Sequence, residues 1–433
     1  VARHGRSTAE EVDMTSTTMA FGELELAFTD QLSWCWDDED TGGKHWVSFW
    51  HPTAPKGFLP LGTVAIPAWG SANLNPKTGA KKIEDHVVAL CVRETGETRP
   101  GMGPALAPPV SYEKIWTDVG TGGKYKGSLW RPIPPKGYVA LGCVAPKDTY
   151  EEPPLSAVTC VRADLTDHAK AHFVYSDKGT GGKQDVSVWQ NNVPPAYVDN
   201  TSGDTRALIA ANTFTSHAAY SEPNSLPSMR VLCLPMPVKK APWGAEPELA
   251  NRSRPAEKTS PVTANTLWVP FTAVNDKDRS VPWKLEHSPF YRIERKVSWE
   301  LVDHVDNNTE SPAKLSRTIM TGVEKESADT FHITTGVSVN ATAGVSAGVA
   351  SASLSTTYSL ELGFAHSSSL KELSSEAVTA EATVMPYTSM AAWVGSNTLQ
   401  VAREDGTLVG KPLPFRGKSI RYDQYPDKAP SSK

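Results

Sequence analysis

Two patterns in this 433-residue chain have the residue types and spacing to do chemistry. Gly344-Val345-Ser346-Ala347-Gly348 has the G-x-S-x-G spacing of a nucleophile elbow, whose serine hydroxyl attacks a carbonyl. Such an elbow needs a strand turning sharply into a helix within a hydrolase sheet, and here the pentapeptide lies inside alternating Ser, Ala and Gly text. No catalytic residue is assigned from it, and no enzymatic activity is expected. The second pattern is an aspartate ahead of Gly-Gly-Lys: Asp38 with Gly42 and Gly43, Asp118 with Gly122 and Gly123, Asp177 with Gly181 and Gly182. A phosphate loop is excluded, because Lys44, Lys124 and Lys183 are followed by His45, Tyr125 and Gln184 and the spacing ahead of the glycines is wrong. Two readings remain for these turns. They could bind a glycan hydroxyl network or a cation, with Trp46 and Tyr125 as neighbouring aromatics. Equally, they could be structural, the aspartate accepting from backbone amides and the glycines permitting positive φ.

Nothing else in the chain assembles a reactive centre. There is no H-E-x-x-H, and the five cysteines (35, 91, 143, 160, 233) include no C-x-x-C, so neither a zinc site nor a dense disulfide scaffold is expected. No metal or cofactor is implied. Hydrophobic content of 39% and charged content of 21% are those of a water-soluble protein, and the formal charge of −5 argues against nucleic acid as a partner. No run of eighteen apolar residues occurs, so no helix spans a membrane from the outset. Val1-Ala2-Arg3 shows no signal peptide; either it has been removed or export takes another route.

The turns are parts of a longer repeat. Asp38 to Trp50, Asp118 to Trp130 and Asp177 to Trp189 share the pattern D-x-[DG]-T-G-G-K-x-x-x-S-x-W without a gap, and Trp36, Trp116 and Tyr175 precede them. The first two copies continue with Pro55-Lys56-Gly57-Phe58 and Leu61-Gly62, and with Pro135-Lys136-Gly137-Tyr138 and Leu141-Gly142; the third departs. Each unit closes on a short apolar strand with a cysteine, Cys91, Cys160 or Cys233, at positions that read as equivalent and inward. Three such units about a shared core predict a pseudo-threefold β-prism. The text of Trp130-Arg131-Pro132 and Ala140-Leu141-Gly142-Cys143-Val144-Ala145, with the repeated turns, resembles the vacuolar protein sorting-associated protein 62 family over about residues 21–240. That resemblance implies the fold; a role in target or glycan recognition follows only by analogy with other β-prisms.

The second half carries a different signal. From Phe331 through Ile333, Val337, Val339 and Val345 to Val349, apolar residues hold the odd positions, with Ser338, Asn340 and Thr342 between them. The phase then flips: Leu354, Tyr358, Leu360, Leu362 and Phe364 are even, while Ser351, Ser353, Ser355 and Glu361 are odd. A period of two describes strands, and the flip predicts a hairpin folded at about 348–351 with one greasy and one Ser/Thr face. No Asp, Glu, Lys or Arg occurs between Phe331 and Leu360, and each arm exceeds the roughly 9–11 residues that cross a bilayer. One hairpin cannot close a barrel, so insertion requires a homo-oligomeric ring.

Prolines and charges without periodicity between Pro237 and Asn265 mark a junction, giving a β-prism over 1–240, a linker over 241–264 and a pore-forming domain over 265–433. Long alternating strands on either side of the uncharged hairpin, as in Ile293 to Leu301 and Val378 to Val384, resemble the aerolysin-like toxins, including the epsilon-toxin and mosquitocidal-toxin group. The resemblance implies an all-β, secreted protein that binds a glycan or protein receptor on a target-cell membrane, assembles and inserts the hairpin. The alternative is a secreted β-prism lectin or adhesin whose second half is a stalk.

Overall fold

Each aspartate-glycine turn joins two antiparallel strands of one prism unit. The computed structural model describes residues 17–67, 87–194, 206–340, 344–347, 354–355, 362 and 371–426. The incoming and outgoing strands are Leu32–Asp37 and Ser48–Pro52, Ser111–Thr117 and Ser128–Ile133, and Lys170–Ser176 and Ser187–Asn192. Their register slips by one residue at the same place in every unit, between Trp34 and Trp36, Lys114 and Trp116, and Phe173 and Tyr175. The extra residue at each bulge (Cys35, Ile115, Val174) is buried, so the slip feeds an additional apolar side chain inward. The three units meet on a shared core of Trp36, Trp116, Tyr175, Phe49, Leu129 and Val188. Trp36 lies 5.4 Å from Trp116 and 6.5 Å from Tyr175 between ring centroids, near edge-on in both cases.

A second sheet backs each unit. Leu24–Thr29 pairs with Ala89–Glu94, Tyr138–Val139 with Cys160–Arg162, and Thr166–His168 with Arg230–Pro235. Cys91, Cys160 and Cys233 sit on the corresponding central strands, and all five cysteines are free and buried. The sheet of the third unit has a guest: Arg206–Ile209 also pairs with Leu354–Ser355 from the far half of the chain.

The second half is one long antiparallel sheet in the order Val238–Lys240, Val262–Pro270, Phe290–Asp306, Ser389–Ala402 and Leu408–Tyr425. Strands of 17, 14 and 18 residues make it elongated. A separate two-stranded ribbon, Ala313–Thr321 with Glu376–Val384, runs in unbroken register from Ala313↔Val384 to Thr321↔Glu376. Prism and sheet are not merely tethered. Phe21 and Phe28 of the prism pack against Phe271 and Phe290 at centroid distances of 5.0 to 5.9 Å, inside one apolar cluster shared by both halves. Among the described residues the molecule is all-β apart from two short α-helices, Val281–His287 and Lys325–Thr335, and four single-turn 3₁₀ helices. Among the described residues no helix is long and apolar enough to cross a membrane.

The second of these helices corrects the sequence reading. Phe331 and Ile333, expected on a strand, lie in Lys325–Thr335. Burial explains the departure: Ala328, Phe331 and Thr335 share one helical face and are buried, while the hydroxyls of Thr334 and Thr335 donate to the Thr330 and Phe331 carbonyls at 2.9 and 2.7 Å. Gly336, at φ 77°, then ends the helix with its N–H on the His332 carbonyl. The arm expected to run straight to Val349 also reverses early. Val337–Asn340 pairs with Gly344–Ala347, so the chain has already turned between Asn340 and Gly344.

Candidate functional site

Two regions carry the residues singled out by the sequence, and their side chains are used differently. In the prism the three turns converge on the pseudo-threefold axis. Thr41, Thr121 and Thr180 each donate a backbone N–H to the carbonyl of Asp38, Asp118 or Asp177, and each threonine hydroxyl accepts from the second glycine, Gly43, Gly123 or Gly182. Gly42, Gly122 and Gly181 adopt φ of 69°, 78° and 80°. A Cβ on Gly43 would lie 3.0 Å from the Thr180 methyl, on Gly123 3.0 Å from that of Thr41, and on Gly182 3.2 Å from that of Thr121. Each second glycine therefore admits the threonine of a neighbouring unit, which is why the pair Gly-Gly recurs.

The aspartates are 2–4% exposed. Asp38 and Asp177 accept through Oδ1 from the backbone N–H of Val47 and Val186, both at 2.9 Å. Across the seams, Trp36 donates its indole N–H to Asp118 at 3.2 Å and Trp116 donates to Asp177 at 2.8 Å. Asp118 also accepts from the Tyr150 hydroxyl at 2.8 Å. The third seam differs, because Tyr175 stands where the others have tryptophan; its hydroxyl is buried without a hydrogen-bond partner among the described residues. Burial, then the aspartates around it, push that phenol well above its ordinary pKa. The Ser-x-Trp part of the repeat is also a local bond: Trp50, Trp130 and Trp189 each donate an indole N–H to the serine two residues earlier, at 2.7 to 3.0 Å. These latches between units were not anticipated from the sequence, although an aromatic two residues before every aspartate was the signal for them.

In the second half the chain leaves the ribbon after Thr321 and returns to it at Glu376. Several of the described residues between those points pack against the body. Phe331, Val337, Val339, Val345 and Leu362 are 0–6% exposed and belong to the cluster shared with the prism. Ile333, by contrast, is 67% exposed. Within the short hairpin Asn340 is exposed, while Ser338 and Ser346 are half-buried, opposite in face to the valines. Ser346, the elbow serine, lies on a strand opposite Ser338. Leu354 and Ser355 pair in the prism sheet with Ile209 and Leu208. The Leu362 carbonyl accepts from Arg295 Nη1 at 2.8 Å, and Arg295 is itself buried, which lowers its pKa to about 10. Thr342, Val349, Ser351, Ser353, Tyr358, Leu360, Glu361 and Phe364 lie outside the described residues.

With both regions in place, comparison with known proteins is direct. The model of the family described as vacuolar protein sorting-associated protein 62 matches residues 6–240, more than half of the chain. The chain belongs to that family. Within this family member, a second model, described as Insecticidal Crystal Toxin, P42, matches residues 262–410, so the second half is toxin-like. Among solved structures, that of GNIP1Aa from Chromobacterium piscinae is similar at 24% identity, covering 46% of this chain and 34% of that one, with a TM-score of 0.34. That of Cry35Ab1 is similar at 12% identity, covering 74% of this chain and 89% of that one, with a TM-score of 0.33. This chain spans about a third of the length of the first. No curated protein matches.

Proposed function

We propose that the protein is a secreted, non-enzymatic pore-forming toxin whose prism recognises a glycan or protein receptor on a target-cell membrane. Its second half then assembles into a homo-oligomeric ring and inserts the uncharged segment as an aerolysin-like β-hairpin. The observation that carries this reading is the register of the ribbon. Its last pair is Thr321↔Glu376. Continued without a slip, that register sets Lys325 opposite Glu372 and Glu326 opposite Lys371, two complementary charge pairs at the base. Further along, Ile333 meets Phe364, Val337 meets Leu360, Val339 meets Tyr358 and Asn340 meets Thr357. The turn falls on Gly348-Val349, where the sequence phase flips, and a two-residue loop opening on glycine suits a type II′ turn. The faces agree as well. In the ribbon, odd residues of the first strand and even residues of the second point inward, as buried Leu315, Ala380 and Val384 do, and the same parity holds the apolar residues of the segment.

The energetic logic follows from cover. In water Val337, Val339 and Val345 are shielded by the protein's own core, and in the ring they would exchange that cover for lipid. Ser338, Asn340, Thr342, Ser351, Ser353, Ser355 and Glu361 would then line the lumen, with Phe331, Tyr358 and Phe364 toward the interface. Release must break the pairing of Leu354–Ser355 with the prism strand Arg206–Ile209. The test is dye release from target-cell vesicles by the double variant Ile209→Cys, Leu354→Cys, whose Cα positions are cross-strand partners within disulfide reach. Release by the reduced protein and none by the oxidised protein is expected. Equal release from both, or vesicle binding by the wild type without any release, overturns the reading, and the latter favours a lectin or adhesin.

A further inference from the structure

The residues between the two halves and the strand Phe290–Asp306 form a cleft of about 240 Å³ whose lining includes Trp243, Thr259, Ser260, Val297 and Trp299. It lies beside the long sheet, and the Arg295 that backs Trp243 also donates to the Leu362 carbonyl. Three features make it a built site. Trp243 is 48% exposed although its ring is held from behind: the buried Arg295 guanidinium sits 5.1 Å from the ring centroid, and Gly395 approaches its edge. Trp299 is fixed on its strand, its backbone N–H donating to Thr259 Oγ1 at 2.8 Å and its carbonyl accepting from the Thr259 N–H at 2.9 Å. The indole N–H groups of both tryptophans and the hydroxyl of Ser260 have no protein partner among the described residues.

We infer that this cleft binds one ring of a neutral pyranose sugar. A pyranose has an apolar C–H face that stacks on indole and a rim of hydroxyls, and the cleft offers two indoles with hydroxyl and N–H groups around them. Its lining holds no charged side chain, so nothing there would pair with an acidic sugar or a phosphate. A cationic headgroup is disfavoured too, because Arg295 already occupies the ring's π system and would repel a second cation. The inference is independent of membrane insertion and of any receptor site on the prism.

Saturation-transfer NMR on the full chain tests it, with methyl glucoside, methyl galactoside, methyl mannoside and methyl N-acetylglucosaminide as probes. Transfer to the C–H protons of one sugar face is expected for at least one probe, with at least tenfold weaker binding in Trp243→Ala and unchanged binding in Tyr387→Ala, an exposed aromatic outside the cleft and the prism turns. Because Trp243 contacts Arg295, a second variant, Ser260→Arg, fills the cleft from its exposed rim and should abolish the same signal in a protein of unchanged Tm. No transfer to any probe, or transfer that survives both cleft variants, overturns the assignment.

Discussion

The three prism turns and the segment between Thr321 and Glu376 are both strongly patterned in sequence, yet they relate to the fold in opposite ways. In the turns the repeated residues are used where they stand: Asp118 and Asp177 accept from neighbouring units, threonine methyls fill the space left by second glycines, and serines hold their own tryptophans. In the segment the pattern runs across elements that do not share it. An alternation of period two covers a helix, a glycine cap and a short hairpin, and among the described residues Val337, Val339 and Val345 use it locally. A repeat satisfied in place describes the structure that contains it. An alternation broken by the structure, but continuous with the register of the ribbon beside it, is what the proposed inserted hairpin would use.

Perturbing one region and leaving the other intact sharpens this contrast. Asp118→Ala removes the acceptor for both Trp36 and Tyr150 in a buried seam and should destabilise the prism by roughly 3 kcal/mol, read as a lower urea midpoint. A comparable effect is expected from acid at Glu23, whose carboxyl the Arg162 guanidinium holds down to about 2, with Arg99 assisting against desolvation. Because the folded pKa lies below the ordinary 4.5, the stabilisation is full above about pH 4.5 and is lost as pH falls toward 2. Wild-type stability should therefore drop by roughly 3 kcal/mol more than that of Glu23→Gln across that window. Gly123→Ala presses a methyl against Thr41 of the neighbouring unit and should cost roughly 1–2 kcal/mol. If it costs nothing, the axis packing is not what the repeat encodes. The smallest effect on folding belongs to the segment: Ile333→Asp, at a 67% exposed position, should leave the urea midpoint within roughly 0.5 kcal/mol of wild type. The same change should lower dye release severalfold, because Ile333 would face the membrane boundary in the ring.

How much was legible follows from the same physics. The prism was readable because one packing solution recurs three times, and the long strands because their alternation matches the faces they bury. The helix Lys325–Thr335 was not read, since β-branched residues and a two-residue period both favour strand. Its own signal was present: Ala328, Phe331 and Thr335 are spaced for one helical face, and all three are buried. The early turn was hidden because Gly344 and Gly348 are equally able to reverse the chain and only the surrounding core selects between them. Trp243 was passed over inside proline-rich text that offered no periodicity, and its cleft exists only where that text lies across the sheet.

The central claim is that the segment changes partners, and cysteine pairing at Val339 reads this directly. In the structure Val339 is the cross-strand partner of Val345; in the proposed extended hairpin it would face Tyr358. Disulfide formation is to be measured in Val339→Cys, Val345→Cys and in Val339→Cys, Tyr358→Cys, before and after exposure to target membranes. The account predicts efficient 339–345 linkage in water, and 339–358 linkage that forms within membrane-bound rings. Membrane-bound protein that still links 339 to 345 and never links 339 to 358 would contradict it.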